Sequence, residues 1–74
     1  MNVYVVMSGL VEDGVDNLTY VEGVFYKLTD AVNYVRANNC EPAKDEYGET
    51  YSSYGRDVWF NSAEYYEIIE TEIK

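Results

Sequence analysis

The sequence contains no histidine, one cysteine, one proline and few basic residues. Without histidine it lacks the commonest general base, the usual imidazole metal ligand and the partner that activates a catalytic serine or cysteine. The lone Cys40 cannot form an internal disulfide. It follows Asn38-Asn39 rather than preceding a helix N-terminus, so we expect a structural or surface cysteine and not a reactive thiol.

Motifs for nucleotide, metal and hydrolytic chemistry are missing as well. The five glycines are scattered and fit neither the P-loop nor the dinucleotide fingerprint. The acidic turn at residues 12–17 lacks the distal glutamate of an EF-hand loop. Paired carboxylates could in principle hydrolyse glycosides, but so small a chain is poorly suited to build the cleft that such chemistry needs. We therefore predict a non-enzymatic protein with no cofactor and no metal.

Long apolar runs and a secretory signal are also missing from this sequence. No segment approaches the roughly 20 apolar residues that a membrane helix requires. The first residues lack a positively charged start, and their apolar run stops at Ser8-Gly9. Together with the lone cysteine, these features predict a protein of the reducing cytoplasm.

The chain is rich in hydrophobic and acidic residues. Its 74 residues are 47% hydrophobic, with nine tyrosines, which is enough for one small domain over residues 1–74. Fourteen acidic residues against five basic ones give a formal net charge of −9. Such a charge repels nucleic acid and anionic membranes, so we predict a basic protein as the partner and no direct binding to either.

The hydrophobic pattern predicts four strands around one helix. β-Branched and aromatic residues mark strands at residues 2–8, 20–27, 57–60 and 64–73, with Gly23 as a bulge. Thr29 is expected to cap a helix that ends at Asn38-Asn39. Residues 41–55 are predicted to be a long irregular loop. The fold class is therefore α+β, with an antiparallel sheet of three to four strands, one helix on one face and the order ββαββ.

The apolar face of the predicted helix follows its spacing. Leu28, Ala31, Val32 and Val35 fall at positions i, i+3, i+4 and i+7. This is the periodicity of an amphipathic helix, so we expect one narrow face to pack on the sheet.

The acidic residues are concentrated in the second half of the chain, where nine of the fourteen lie between Glu41 and Glu72. Residues on the same face of a strand are about 6.8 Å apart, and carboxylates at that spacing could imitate the phosphates of nucleic acid. Alternation places Glu70 and Glu72 on one face and Glu67 on the other. The alternative is an acidic surface that only confers solubility. The acidic candidates for partner binding are Asp45, Glu46, Glu49, Glu64, Glu67, Glu70 and Glu72.

Three tyrosines complete the candidate site. Tyr47, Tyr51 and Tyr54 lie among acidic and serine residues of the predicted loop. Tyrosine offers a large contact area at small entropic cost and is enriched at interfaces, which favours a docking surface. The alternative is that two of these rings fold back over a core that a single helix cannot close.

Three segments resemble a group of small bacteriophage proteins. These are residues 2–9 (NVYVVMSG), 23–35 (GVFYKLTDAVNYV) and 65–70 (YYEIIE), with the loop at 41–55 outside the resemblance. The resemblance implies a phage origin and a place in the host cell cytoplasm. It also implies action by binding and blocking a host protein, restriction and CRISPR machinery included.

Together these observations predict a phage-encoded inhibitor of a host defence protein, of the anti-CRISPR or anti-restriction type. It would bind a basic nucleic-acid-handling surface by occlusion or by DNA mimicry. The alternative is a small interaction module or a homodimeric assembly protein that pairs through an exposed sheet edge.

Overall fold

The computed structural model describes residues 1–73 as a single small domain with five strands and one α-helix. The strands are β1 (Asn2–Leu10), β2 (Tyr20–Phe25), β3 (Glu41–Pro42), β4 (Asp57–Phe60) and β5 (Glu64–Glu72), and the helix α1 is Leu28–Ala37. Short 3₁₀ helices follow β1 at Val11–Asp13 and precede β4 at Tyr51–Tyr54. Over these 73 residues no helix is long and apolar enough to cross a membrane.

The strands form one antiparallel sheet in the order β2-β1-β5-β4-β3. The predicted α+β class with one helix is confirmed, but three to four strands in the order ββαββ is wrong, since the order is ββαβββ. The extra strand is β3, in which Glu41 pairs with Phe60 and Pro42 with Trp59. Proline lacks an N–H for a central ladder but is tolerated at a sheet edge, which is where β3 lies.

Helix α1 buries the face that its spacing predicts. Ala31 and Val35 are fully buried and Val32 is partly buried, while Leu28 at the start is 44% exposed. The prediction that Thr29 caps the helix is wrong: the N-cap residue is Lys27, whose extended backbone precedes Leu28 and whose side chain makes no capping bond. The predicted end is confirmed, because Asn39 has a left-handed φ of 62°.

The sheet has two different faces, which the strand register defines. Paired residues on neighbouring strands point to the same side. Val6 pairs with Ile68, and Trp59 with Tyr66, and all four pack with Ala31 and Val35 in the core. We call this side the helix face. The other side, which α1 does not cover, is the open face. It carries Val5, Met7, Val21, Val24 and Ile69, and also Val3 and Val58, which are each only 3% exposed.

β2 contains a bulge, as predicted, but the extra residue is the one before Gly23. Val6 pairs with Gly23 but Met7 pairs with Val21, so Glu22 is the extra residue. Its carboxylate accepts hydrogen bonds from the buried Ser8 hydroxyl at 2.9 Å and from the Tyr34 hydroxyl at 2.8 Å. The latter bond raises the pKa of Tyr34. The bulge therefore supplies the acceptor that satisfies a buried hydroxyl beside α1.

Candidate partner-binding surface

Carboxylates gather at the end of the sheet where β4 begins and β5 finishes. Asp57 pairs with Ile68, so Glu70 and Glu72 continue past it on the helix face. Asp57 and Glu70 line the same hollow of about 190 Å³, together with Leu28 and Gly55. Antiparallel pairing thus brings together acids that are far apart in the sequence.

A hairpin extends from the same end. After β3 the chain runs beside β4, where the Ala43 N–H donates to the Val58 carbonyl at 2.9 Å. It returns through a bridge between Lys44 and Thr50. The turn at residues 45–49 therefore lies beyond the start of β4. We call the six carboxylates of this region the acidic end: Asp45, Glu46, Glu49, Asp57, Glu70 and Glu72.

Asp45 organises the tip of this hairpin. Its Oδ1 accepts hydrogen bonds from the backbone N–H groups of Tyr47 at 2.9 Å and Glu49 at 3.0 Å. Its Oδ2 accepts one from the Tyr54 hydroxyl at 2.6 Å. The Tyr54 bond lowers the pKa of Asp45, and the same bond raises the pKa of Tyr54. The tip is thereby held in one shape, with Tyr47 81% exposed and Tyr54 58% exposed.

Arg56 anchors the neighbouring part of the open face. Its guanidinium donates to both carboxylate oxygens of Glu67, at 2.8 and 3.2 Å, and to Asp16 at 3.0 Å. It also lies 5.5 Å from the ring centre of the half-buried Tyr51. The hydrogen bonds to Glu67 are the main reason that the pKa of Arg56 is raised. Arg56 therefore joins the loop after β1 and the 3₁₀ helix before β4 to the sheet.

The carboxylates of the acidic end make no salt bridge with any of residues 1–73. Within that part of the chain, Arg56 makes the salt bridges, and it makes them with Asp16 and Glu67. Glu70 accepts a hydrogen bond from the Asn2 amide, which carries no charge. The acidic end thus presents six carboxylates that no salt bridge of the described residues holds, with Lys44 as the one basic residue of its hairpin.

Seven of the ten residues predicted for partner binding lie toward the end of the sheet where β4 begins. These are Asp45, Glu46, Tyr47, Glu49, Tyr54, Glu70 and Glu72. Glu64 is half-buried at the opposite end of β5, beside Leu10. Glu67 is bound to Arg56 on the open face, and Tyr51 lies against the same arginine. Asp57 is a neighbour that the sequence prediction missed, and only the pairing of β4 with β5 could have revealed it.

Cys40 belongs to the core and not to this surface. It is buried with Val35 and Trp59, and burial raises the pKa of its thiol to about 11, so the thiol is protonated at neutral pH. Among residues 1–73 no three histidine, cysteine or carboxylate side chains are placed to hold a metal ion.

Comparison with protein-family models, with curated proteins and with solved structures finds no significant match. The chemistry of the acidic end and its hairpin is therefore the basis for assigning a function to this chain.

Proposed function

We propose that this chain is a non-enzymatic, phage-encoded inhibitor of a host defence protein, of the anti-CRISPR or anti-restriction type. The observation that supports it best is the acidic end, whose carboxylates make no salt bridge among residues 1–73 in a chain of net charge −9. Such a surface attracts a basic groove and speeds encounter with it. Grooves of this kind occur in proteins that handle nucleic acid.

Two features of the acidic end suit DNA mimicry. Glu70 and Glu72 lie on one face of β5, about 6.8 Å apart, which is close to two phosphate steps along one strand of nucleic acid. The tip held by Asp45 presents Glu46 and Glu49 beside the exposed ring of Tyr47. The carboxylates would occupy phosphate positions, and Tyr47 would supply contact area for specificity.

The proposal is tested by plating a phage on bacteria that carry a restriction or CRISPR system, with and without this protein expressed. We expect expression to restore plating on at least one such strain. Glu70→Lys/Glu72→Lys should reduce the effect at least about tenfold, because it removes two mimetic charges and adds repulsion to a basic groove. The matched control is Glu12→Lys/Asp13→Lys, an equal charge change at exposed residues of the 3₁₀ helix after β1.

Two results would contradict the proposal. The first is plating that stays unrestored on every defence-bearing strain. The second is equal loss of activity in the two double variants, which would mean that net charge matters and the acidic end does not. For a captured effector, affinity for the wild-type chain should fall as salt rises, since exposed charges are screened beyond about 8 Å at physiological ionic strength.

A further inference from the structure

A small hollow opens on the helix face at the acidic end, between the start of α1 and strands β1, β4 and β5. Its volume is about 190 Å³. Its apolar lining consists of the buried Ile68, the half-buried Tyr4 and the exposed side chain of Leu28. Asp57 and Glu70 add two carboxylates. The hollow therefore combines apolar walls with negative charge, whereas the acids of the hairpin tip lie on an exposed turn.

The two carboxylates of the hollow are held in place by neutral donors. The Trp59 Nε1–H donates to Asp57 Oδ1 at 2.7 Å, and the side-chain amide of Asn2 donates to Glu70. Such bonds orient a carboxylate without cancelling its charge. Within residues 1–73 the salt bridges are those of Arg56, which lie on the other face of the sheet. The hollow thus carries two oriented negative charges that no salt bridge of the described residues neutralises.

The open face shows which ligand such a set of groups binds. There the guanidinium of Arg56 donates to the carboxylates of Glu67 and Asp16 and lies 5.5 Å from the ring centre of Tyr51. The hollow offers the same kinds of group, two carboxylates and a tyrosine ring. Lys27 at the N-cap of α1 makes no salt bridge with any of residues 1–73, so the chain supplies the hollow with no ion-paired cation of its own.

Charge and shape together favour arginine over lysine as the occupant. Two carboxylates in one hollow are complementary to a cation. A guanidinium is planar, carries five donors, stacks on aromatic rings and is less strongly hydrated than an ammonium group, so it suits a hollow with apolar walls better than lysine does.

We infer that this hollow binds an arginine side chain of the basic partner. The aliphatic stem packs on Leu28, while the guanidinium lies against Tyr4 and donates to Asp57 and Glu70. The inference rests on the proposed function, because a groove that handles nucleic acid is what supplies the arginine. An arginine that binds a phosphate has the donors to bind these two carboxylates instead.

The test is a titration of the whole chain, followed by amide chemical shifts, with three blocked tripeptides of the form Gly-X-Gly. X is arginine, lysine or citrulline, which resembles arginine in shape but carries no charge. The arginine probe should shift the amides of Tyr4, Leu28, Gly55 and Asp57 together, with a dissociation constant of about 1–10 mM. The lysine probe should bind at least about threefold more weakly. The citrulline probe should give no saturable shift.

Variants locate the binding site. Asp57→Asn should weaken binding of the arginine probe at least about fivefold, because one charge is lost while an oxygen remains to accept the Trp59 bond. The matched control is Glu72→Gln, which removes the same charge from the same face of β5 outside the hollow, and it should change the affinity less than about twofold. If Asp57→Asn does not fold, Glu70→Gln, at an exposed position, replaces it with the same expectation.

The inference is overturned if the arginine probe gives no saturable shift, or if its shifts lie at the hairpin tip and not around the hollow. Lysine or citrulline probes that bind as tightly as arginine would overturn it too, as would equal losses in Asp57→Asn and Glu72→Gln. The plating experiment separates this inference from the proposed function. Restored plating without probe binding removes the hollow alone, whereas probe binding without restored plating contradicts the inhibitor function and leaves the arginine site standing.

Discussion

At the scale of single residues, Asp45 shows how a short loop acquires a fixed shape. One carboxylate accepts two backbone N–H groups and the Tyr54 hydroxyl, and it thereby closes the turn at residues 45–49. The neighbouring Glu46 and Glu49 remain exposed. Holding the turn before binding lowers the entropy lost when a partner orders it. A single acid thus positions the others.

Asp45→Asn should lower the melting temperature at pH 7. Hydrogen bonds to the charged form hold the pKa of Asp45 below its usual value, so its stabilising contribution is present above the unfolded-state pKa. That contribution disappears as pH falls through the lower folded-state value. The gap between wild type and variant should therefore narrow below about pH 4. Thermal unfolding between about pH 7 and about pH 2.5 measures this difference in melting temperature. The interval spans the usual aspartate pKa of about 3.9.

Glu46→Gln is the control for this experiment, because Glu46 is exposed at the same turn and has the same charge. It should show no comparable gap at pH 7. If the difference in melting temperature between wild type and Asp45→Asn stays constant down to the lowest pH, the charge of Asp45 is not what stabilises the turn.

At the scale of elements, the loop after β1 is packed too closely for a side chain at Gly9. A Cβ there would lie 2.8 Å from the Asn17 carbonyl oxygen and 3.1 Å from the Leu18 Cα, both of which belong to the backbone. Gly9→Ala should therefore reduce the free energy of unfolding by about 1–3 kcal/mol, as overpacking does. Urea unfolding measures the loss.

Gly23→Ala is the matched control, since its Cβ would meet the Phe25 ring at 3.1 Å. A side chain can turn away more easily than a backbone, so the loss should be smaller. If the two alanine variants lose equal stability, close packing of the loop against β1 is not the cause.

The start of α1 offers a second test at this scale. Lys27 occupies the N-cap position without a capping bond, so Lys27→Ser should raise the free energy of unfolding by about 0.5–1 kcal/mol. Thr29→Ala is the comparison. If Thr29 were the cap, its loss would destabilise the chain by about 1 kcal/mol, but inside the first turn the change should be near zero. Urea unfolding of both variants distinguishes the two positions.

Local pattern predicted those elements that are long enough to show a period. The alternation of β1 and β5, the spacing of Ala31 and Val35 and the bulge near Gly23 are visible in the sequence because neighbouring residues determine them. β3 is not visible, because two residues have no period and Pro42 suggests a loop. Its existence depends on Phe60 and Trp59, which lie far along the chain.

The same limit applies to the candidate surface. The concentration of acid after residue 41 is a sequence property, but the grouping of acids is a property of strand pairing. In the sequence Glu67 is one more carboxylate of the acidic second half, whereas in the fold it pairs with Arg56. Asp57 joins Glu70 only because Asp57 pairs with Ile68.

At the scale of the whole molecule, charge and apolar surface are segregated. The acidic end lies around the start of β4, whereas the exposed apolar side chains of Val21, Val24 and Ile69 lie on the open face, where Arg56 pairs with Glu67. A partner of opposite charge is therefore attracted to one end of the molecule. The excess of negative charge also affects folding, because a compact chain of net charge −9 repels itself more than an expanded one.

Salt should therefore stabilise this protein. Between about 10 mM and about 300 mM NaCl the screening length falls from about 30 Å to below 8 Å, which weakens repulsion across the whole domain. A gain of about 1 kcal/mol corresponds to a melting temperature about 4–8 °C higher for a domain of this size. Glu12→Lys/Asp13→Lys reduces the charge from −9 to −5, two units for each substitution, so its melting temperature should rise less. A fall in melting temperature with salt would mean instead that the ion pairs of Arg56 outweigh the repulsion, because salt weakens those pairs as well.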